Sequence, residues 1–314
     1  MSFVRTVLGD IPAGELGFCY AHEHIIIDGP FVKEKYPEFK LDSVNLAANE
    51  LAEAYSAGVR AMVDAMPIDA GRDAAKLAEV SRRTGIHIVC PTGLHLALYY
   101  EPDHWSATID LDALTDRFVS EIEDGVVDGV GPTAFRAGVI KVASGLNTLG
   151  ANERRNLQAA ARAQAKTGCP ILTHTEQGTA ALEQVETLRE NGADVGHVVL
   201  SHLDRTGDVG YHREVLSTGV ALEYDSAFRW GEGVNQTLEL ILQLLPEFPN
   251  QVVLGMDAAR RSYWKAYGGK PGLTYLARHF TQTLREHGLS QADLDRIFVA
   301  NPANYYSFKE VGSA

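Results

Sequence analysis

Eight short apolar stretches, each followed by a longer amphipathic one, constrain this chain more than any other feature. The apolar runs lie at 17–27, 59–65, 86–92, 137–143, 170–174, 197–202, 220–224 and 252–256. Several are continuously apolar rather than alternating, as expected of parallel strands covered on both faces. Helical spacing marks the segments 43–56, 73–84, 112–124, 152–167, 179–190, 208–218, 234–245 and 273–287. In the first of them Leu46, Leu51 and Ala54 share one stripe. Most of these segments run into a glycine, among them Gly85, Gly168, Gly219 and Gly288, the residue that closes a helix in the left-handed conformation. Eight strand–helix pairs favour an α/β fold of the (β/α)8 TIM barrel type over an open doubly wound sheet. One domain covering 1–314 accommodates all of them.

No glycine-rich nucleotide motif follows any strand, which counts against dinucleotide and P-loop folds. A net charge of -13 argues against nucleic acid and against an anionic membrane surface as partners, and leaves a small molecule as the expected one. No window approaches 18 uninterrupted apolar residues, and no basic stretch leads into a long apolar core near the N-terminus. Cys19, Cys90 and Cys169 are far apart and odd in number, each within an apolar run. Buried reduced thiols in a cytoplasmic protein are therefore expected, not a disulfide framework.

The strand ends carry the chemistry. Within the first apolar run, His22 and His24 stand two residues apart, so strand alternation turns both the same way, as a metal clamp requires. Two packed histidines would give the same spacing. Further ligand-type residues close later runs: Lys141 on the fourth, His174 on the fifth, His202 on the sixth and Asp257 on the eighth. In a barrel these positions share one rim. Four histidines, an aspartate and a lysine suffice for two divalent ions if the lysine bears oxygen ligands. A free ammonium repels cations and is costly at the end of a buried strand. Addition of CO2 to the neutral amine gives a carbamate whose oxygens can bridge two metals. Taken alone, Lys141 is also compatible with an ion-paired or a Schiff-base lysine.

Taken together, His22-Glu23-His24, Gly138-Val139-Ile140-Lys141, Thr173-His174-Thr175, Ser201-His202-Leu203-Asp204-Arg205 and Gly255-Met256-Asp257 resemble the phosphotriesterase-like branch of the amidohydrolase superfamily. The resemblance runs from Thr6 to Ala303. It implies that His22, His24 and Asp257 hold the more buried ion and His174 and His202 the more exposed one. It also implies that carboxylated Lys141 and a hydroxide bridge the two. Zinc is the expected metal, with manganese or cobalt as alternatives, because mixed nitrogen and oxygen donors do not choose among them. Such a centre hydrolyses: two cations acidify water and polarise a carbonyl or phosphoryl oxygen, and Asp257 takes a proton toward the leaving alkoxide. A homodimer is expected only by analogy with the family.

Three features bear on the substrate. Arg205 follows the sixth-strand histidine as in lactonase-like members, or else pairs with Asp204 or Asp208. His95, in the long segment 92–109, either contacts substrate or packs beside Tyr99 and Tyr100. Arg229, Arg260 and Arg261 lie after the seventh and eighth strands, where barrels commonly bind phosphate, and this pattern looks like that of family members acting on phosphorylated sugar lactones. The expectation is therefore a dinuclear lactonase opening a sugar-derived lactone, phosphorylated or free. A broad lactonase or carboxylesterase with weak phosphotriesterase activity is the alternative, disfavoured by the cationic segment 258–271. A barrel that kept ligand binding and lost catalysis would lack a metal ligand, and all six are present.

Overall fold

A computed structural model describes residues 2–310 apart from 130 and 232. The expected strands form in order: Cys19–Glu23, Ala61–Asp64, a third split into His87–Val89 and Pro91–Gly93, Val139–Ser144, Ile171–Thr175, Val198–Ser201, Ala221–Tyr224 and Val252–Leu254. From the first to the eighth, each strand pairs in parallel with the next. The split in strand three falls at Cys90, whose carbonyl accepts from Gly138 N at 2.8 Å. Among the described residues, strands eight and one form no ladder. The His22 carbonyl closes that gap by accepting from Met256 N at 3.2 Å and Asp257 N at 3.1 Å. Glu23 adds a side-chain clasp, accepting from Met256 N at 2.8 Å.

Alternation along these strands divides the interior into two levels. Cys19, Ala21, Ala61, Val63, Val89, Val139, Leu172, Val199, Ala221 and Val253 pack together inside the barrel. Two residues further along, on the same face, the chain places Lys141, His174, Ser201, Glu223 and Gly255. An apolar floor therefore lies beneath a polar upper level. Val4 and Leu16 from the N-terminal segment, with Tyr305 and Tyr306 from the C-terminal helix, plug the opposite end. Tyr306 donates to the Ala21 carbonyl at 2.6 Å.

The helices begin where side chains can cap them. Ser43, Asp73, Asp110, Asp208 and Asn235 each accept from a backbone N–H of the first turn of Val44–Ser56, Ala74–Thr84, Leu111–Glu123, Val209–Leu216 and Gln236–Leu244. Gly85 and Gly168 end their helices at φ 74° and 73°, the left-handed stop expected from sequence.

Further elements lie outside the eight pairs, among them a short antiparallel pair of Val127–Asp128 with Gly131–Pro132. An antiparallel hairpin joins Phe3–Thr6 to Gly9–Pro12. A final helical run comprises Gln291–Asp295, Arg296–Ala300 and Asn301–Tyr305, opened by a reciprocal Ser290–Asp293 capping box. Among the described residues, no helix is long and apolar enough to cross a membrane. All three cysteines are buried and free.

Candidate metal centre and substrate pocket

The clamp on strand one does not arise from plain alternation. Cys19 and Ala21 face the barrel interior, which would turn His22 outward. The pairing of strands one and two shifts register between Tyr20 and Glu23, and this irregularity brings His22 onto the same cavity as His24. Strand two supports the turn: Asp64 accepts from Ile25 N at 2.7 Å and Met66 N at 2.9 Å.

Five of the six expected ligands line one cavity of about 410 Å³: His22, His24, His174, His202 and Asp257. The sixth, Lys141, lies within the barrel, 1% exposed. His22, His24 and Asp257 present ligand atoms within 4.8 Å of one another. The His22 and His202 rings are 4.9 Å apart, and those of His174 and His202 4.5 Å. His202 and Asp257 hold left-handed backbone conformations, φ 68° and 45°. For residues with a side chain this costs about 1–3 kcal/mol each and is typical of functional sites.

Three of the four histidines are oriented by their outer nitrogen. His202 Nδ1 bonds the Asp225 carboxylate in a very short contact, and His174 Nε2 bonds Glu176 Oε2 at 3.0 Å. His22 Nδ1 lies 2.8 Å from Ser201 Oγ. Burial lowers the pKa of all three, that of His202 to about 3, so the rings are neutral and each keeps one nitrogen free to ligate. His24 Nε2 lies 3.1 Å from Asp257 Oδ1.

Asp257 divides its two oxygens. Oδ1 faces the histidines, 3.7 Å from His22 Nε2. Oδ2 accepts from Arg205 Nη2 at 2.8 Å and Arg229 Nη2 at 3.1 Å. Burial pushes this carboxyl up, but the His24 hydrogen bond and the Arg229 guanidinium outweigh it and hold the group well below the usual range. Asp225 joins the same network, accepting from Arg205 at 3.2 Å and from Arg229 at 2.8 Å. Among the described residues Arg205 thus pairs with Asp225 and Asp257, not with Asp204 or Asp208 as the sequence alternative had it.

Lys141 Nζ has no hydrogen-bond partner among the described residues. Burial lowers its pKa to about 8. A buried amine near neutrality with no partner, beside neutral imidazoles and an ionised carboxylate, fits a carbamate shared by two divalent ions. The donor set is the mixed nitrogen and oxygen type that such ions accept.

The remaining expected residues separate. His95 lines the cavity, its ring 5.0 Å from His174 and 4.5 Å from Tyr99. Arg205, Arg229 and Arg260 also line it. Arg261 does not: its guanidinium sits 4.7 Å over the Tyr267 ring, so the expected substrate contact is not formed by that side chain. Sequence reasoning missed Glu176, Ser201, Glu223 and Asp225. The signal was two acids, Glu223 and Asp225, on one face of an otherwise apolar strand end.

Known proteins agree with this architecture. A family model described as the phosphotriesterase family matches residues 2–306. A phospho-furanose lactonase of Mycoplasmopsis agalactiae is 33% identical over 98% of this chain and 92% of its own length. The crystal structure of a lactonase from Listeria monocytogenes superposes with a TM-score of 0.91 at 32% identity, covering 98% of this chain and 100% of that one. The phosphotriesterase homology protein of Escherichia coli, solved with phosphate in its active site, gives 0.84 at 31% identity over 93% of this chain and 99% of that one.

Proposed function

The chain belongs to the phosphotriesterase family, whose members are metal-dependent hydrolases, and from that premise we propose that it is a dinuclear lactonase acting on a phosphorylated sugar lactone. One observation carries the substrate side of this proposal: Arg229 and Arg260 line the same cavity as the histidine–aspartate cluster. The phospho-furanose lactonase among its relatives and the phosphate held by the Escherichia coli protein point the same way.

His22, His24 and Asp257 would hold one ion, His174 and His202 the other, and carboxylated Lys141 both. When bound, the pair would supply a water acidic enough to attack at neutral pH and an electrophile for the lactone carbonyl. The protein's own groups do the rest. Ser201, Asp225 and Glu176 fix the outer nitrogens of three histidines, which keeps their free nitrogens aimed. Arg205 and Arg229 hold Asp257 Oδ2, so proton uptake there competes with two guanidiniums. Asp257 is therefore a ligand first, and a proton carrier only as those contacts loosen. Arg260 lies 5.1 Å over the Phe39 ring, and no carboxylate pairs with it among the described residues. Its fork of donors is thus available for a phosphate. His95, neutral through burial, and Tyr99 line the same cavity and would pack against the sugar ring.

Zinc, a homodimer and a cytoplasmic location complete the proposal. The buried free thiols support a reducing compartment. Metal analysis of purified protein and sedimentation velocity test the first two. Lactone pairs differing only in the phosphate test the substrate, and preference for the unphosphorylated member would reject it.

A further inference from the structure

Three of the four histidines have an identifiable outer partner, and His22 differs from the other two. His202 and His174 each meet a carboxylate, Asp225 and Glu176. His22 Nδ1 meets the Ser201 hydroxyl at 2.8 Å, and behind it the Glu223 carboxyl, with Oε2 at 3.5 Å. Glu223 is fully buried on strand seven, and neither of its oxygens has a hydrogen-bond partner among the described residues. An unpartnered buried carboxyl costs stability, so a chain that keeps one obtains something from it. The neighbouring strand leaves room for it. A Cβ built on Gly255 would stand 2.7 Å from Glu223 Oε1 and 2.6 Å from the His22 carbonyl oxygen. Any side chain there would push Glu223 and His22 apart.

His22, His202, Glu223 and Asp225 also present donor atoms within 4.8 Å of one another, the geometry of a cation site. A third ion there would use the Nδ1 atoms of two histidines whose Nε2 atoms face the cavity, which requires both rings to be imidazolates. Support of the existing ligands needs no such deprotonation.

We propose that Glu223 is a positioning residue for the metal centre: the Ser201 hydrogen bond, backed by the Glu223 carboxyl packed 3.5 Å behind His22 Nδ1, keeps the His22 ring turned so that Nε2 faces the ion beside Asp257. This rests on the metal-centre assignment made above.

The test uses full-length protein, stripped with chelator and titrated with cobalt. Glu223→Leu should weaken one of the two cobalt ions by roughly 10–100-fold and alter the visible cobalt spectrum. Glu223→Gln keeps an acceptor and should fall closer to wild type. The stripped Glu223→Leu protein should unfold in urea at the same or a higher concentration than wild type, because an unpaired buried carboxyl is gone. Two wild-type cobalt affinities in both variants would overturn the proposal. So would stability and affinity falling together, which marks a merely structural group. If Glu223→Leu does not fold, Glu223→Gln and Ser201→Ala carry the titration, and wild-type affinity in both is the overturning result. A His22→Asn control separates the two levels: if it too keeps both ions, the metal-centre assignment falls and this proposal with it.

Discussion

Asp257 concentrates the chemistry at the residue scale, because its two oxygens serve different neighbours. Oδ1 belongs to the histidines and Oδ2 to Arg205 and Arg229. Arg229→Ala therefore removes a support of Asp257 as well as a cation of the pocket. It should lower kcat on every lactone and also raise KM on phosphorylated ones. Arg260→Ala is the cleaner probe and should raise KM by about 10–100-fold on the phosphorylated lactone alone, the magnitude of a charge-assisted contact. Equal effects of Arg260→Ala on both members of a lactone pair would remove it from phosphate binding. Lys141→Ala should lose bound metal and at least ~100-fold in activity, with partial recovery in small carboxylic acids that replace the bridging oxygens. Full activity in that variant would exclude Lys141 from the centre.

Lys141 also sets a pH dependence. Burial holds its amine near 8, and carbamate formation needs the neutral form. Activation of stripped enzyme by bicarbonate and metal should accelerate as pH rises toward 8 and level off above it, which reconstitution kinetics would follow. The stability sign is the same. Between pH 8 and the ordinary lysine value of 10.5 the unfolded chain binds this proton and the fold does not, so stripped protein gains stability from this group as pH rises.

At the scale of elements, the segment after strand eight is held by one helix and by its own side chains although it has little regular structure. Glu50, on the helix Val44–Ser56, is 2% exposed and accepts from Ala266 N at 2.7 Å and Leu273 N at 2.9 Å. Trp264 donates to the Ala258 carbonyl at 2.7 Å, and Ser43 N donates to the Tyr267 hydroxyl at 3.2 Å. Glu50→Ala leaves two backbone donors unpaired and should cost about 2–5 kcal/mol in urea unfolding. It should also raise KM more than it lowers kcat, since Arg260 and Tyr263 ride on that segment. A second clamp sits under strand three. Buried Arg72 bonds Glu121 Oε2 at 2.6 Å and Asp128 Oδ1 at 2.7 Å, while Thr92 donates to Glu121 Oε2 at 2.8 Å. Glu121→Ala would leave the buried arginine with Asp128 as its remaining carboxylate and the Thr92 hydroxyl unpaired, and should cost about 3 kcal/mol, as calorimetry would show.

Sequence made the eight strands and their helices legible because period and glycine stops are local signals. The register shift at His22 was not legible, since it depends on which residues of strand two lie opposite. The hairpin at Phe3–Thr6 and Gly9–Pro12 is too short to show a period. The run from Gln291 to Tyr305 did carry a readable start in its Ser290–Asp293 capping box, which a search for strand–helix pairs passes over.

Across the whole molecule, the barrel works as a two-level device. Its apolar lower level and the plug at the opposite end fix the strands. Its polar upper level then tolerates Lys141 Nζ and Glu223 without hydrogen-bond partners. The cluster of candidate ligands was legible because each residue lies in the later part of a strand or just after it, and a barrel gathers those positions toward one rim. The carboxylates behind it were not, because Asp225 and Glu223 gain their meaning only from His202 and His22 on other strands. Net charge told the least: a chain at -13 encloses a pocket wall carrying three arginines. We propose that this wall selects a phosphorylated lactone. The most direct measurement is kcat/KM of zinc-loaded protein on one sugar lactone and on its phosphorylated form at the same pH. A ratio of roughly 100 or more in favour of the phosphorylated form, reduced in Arg260→Ala, is the predicted result. Equal turnover of the two forms, unchanged by that substitution, would contradict it.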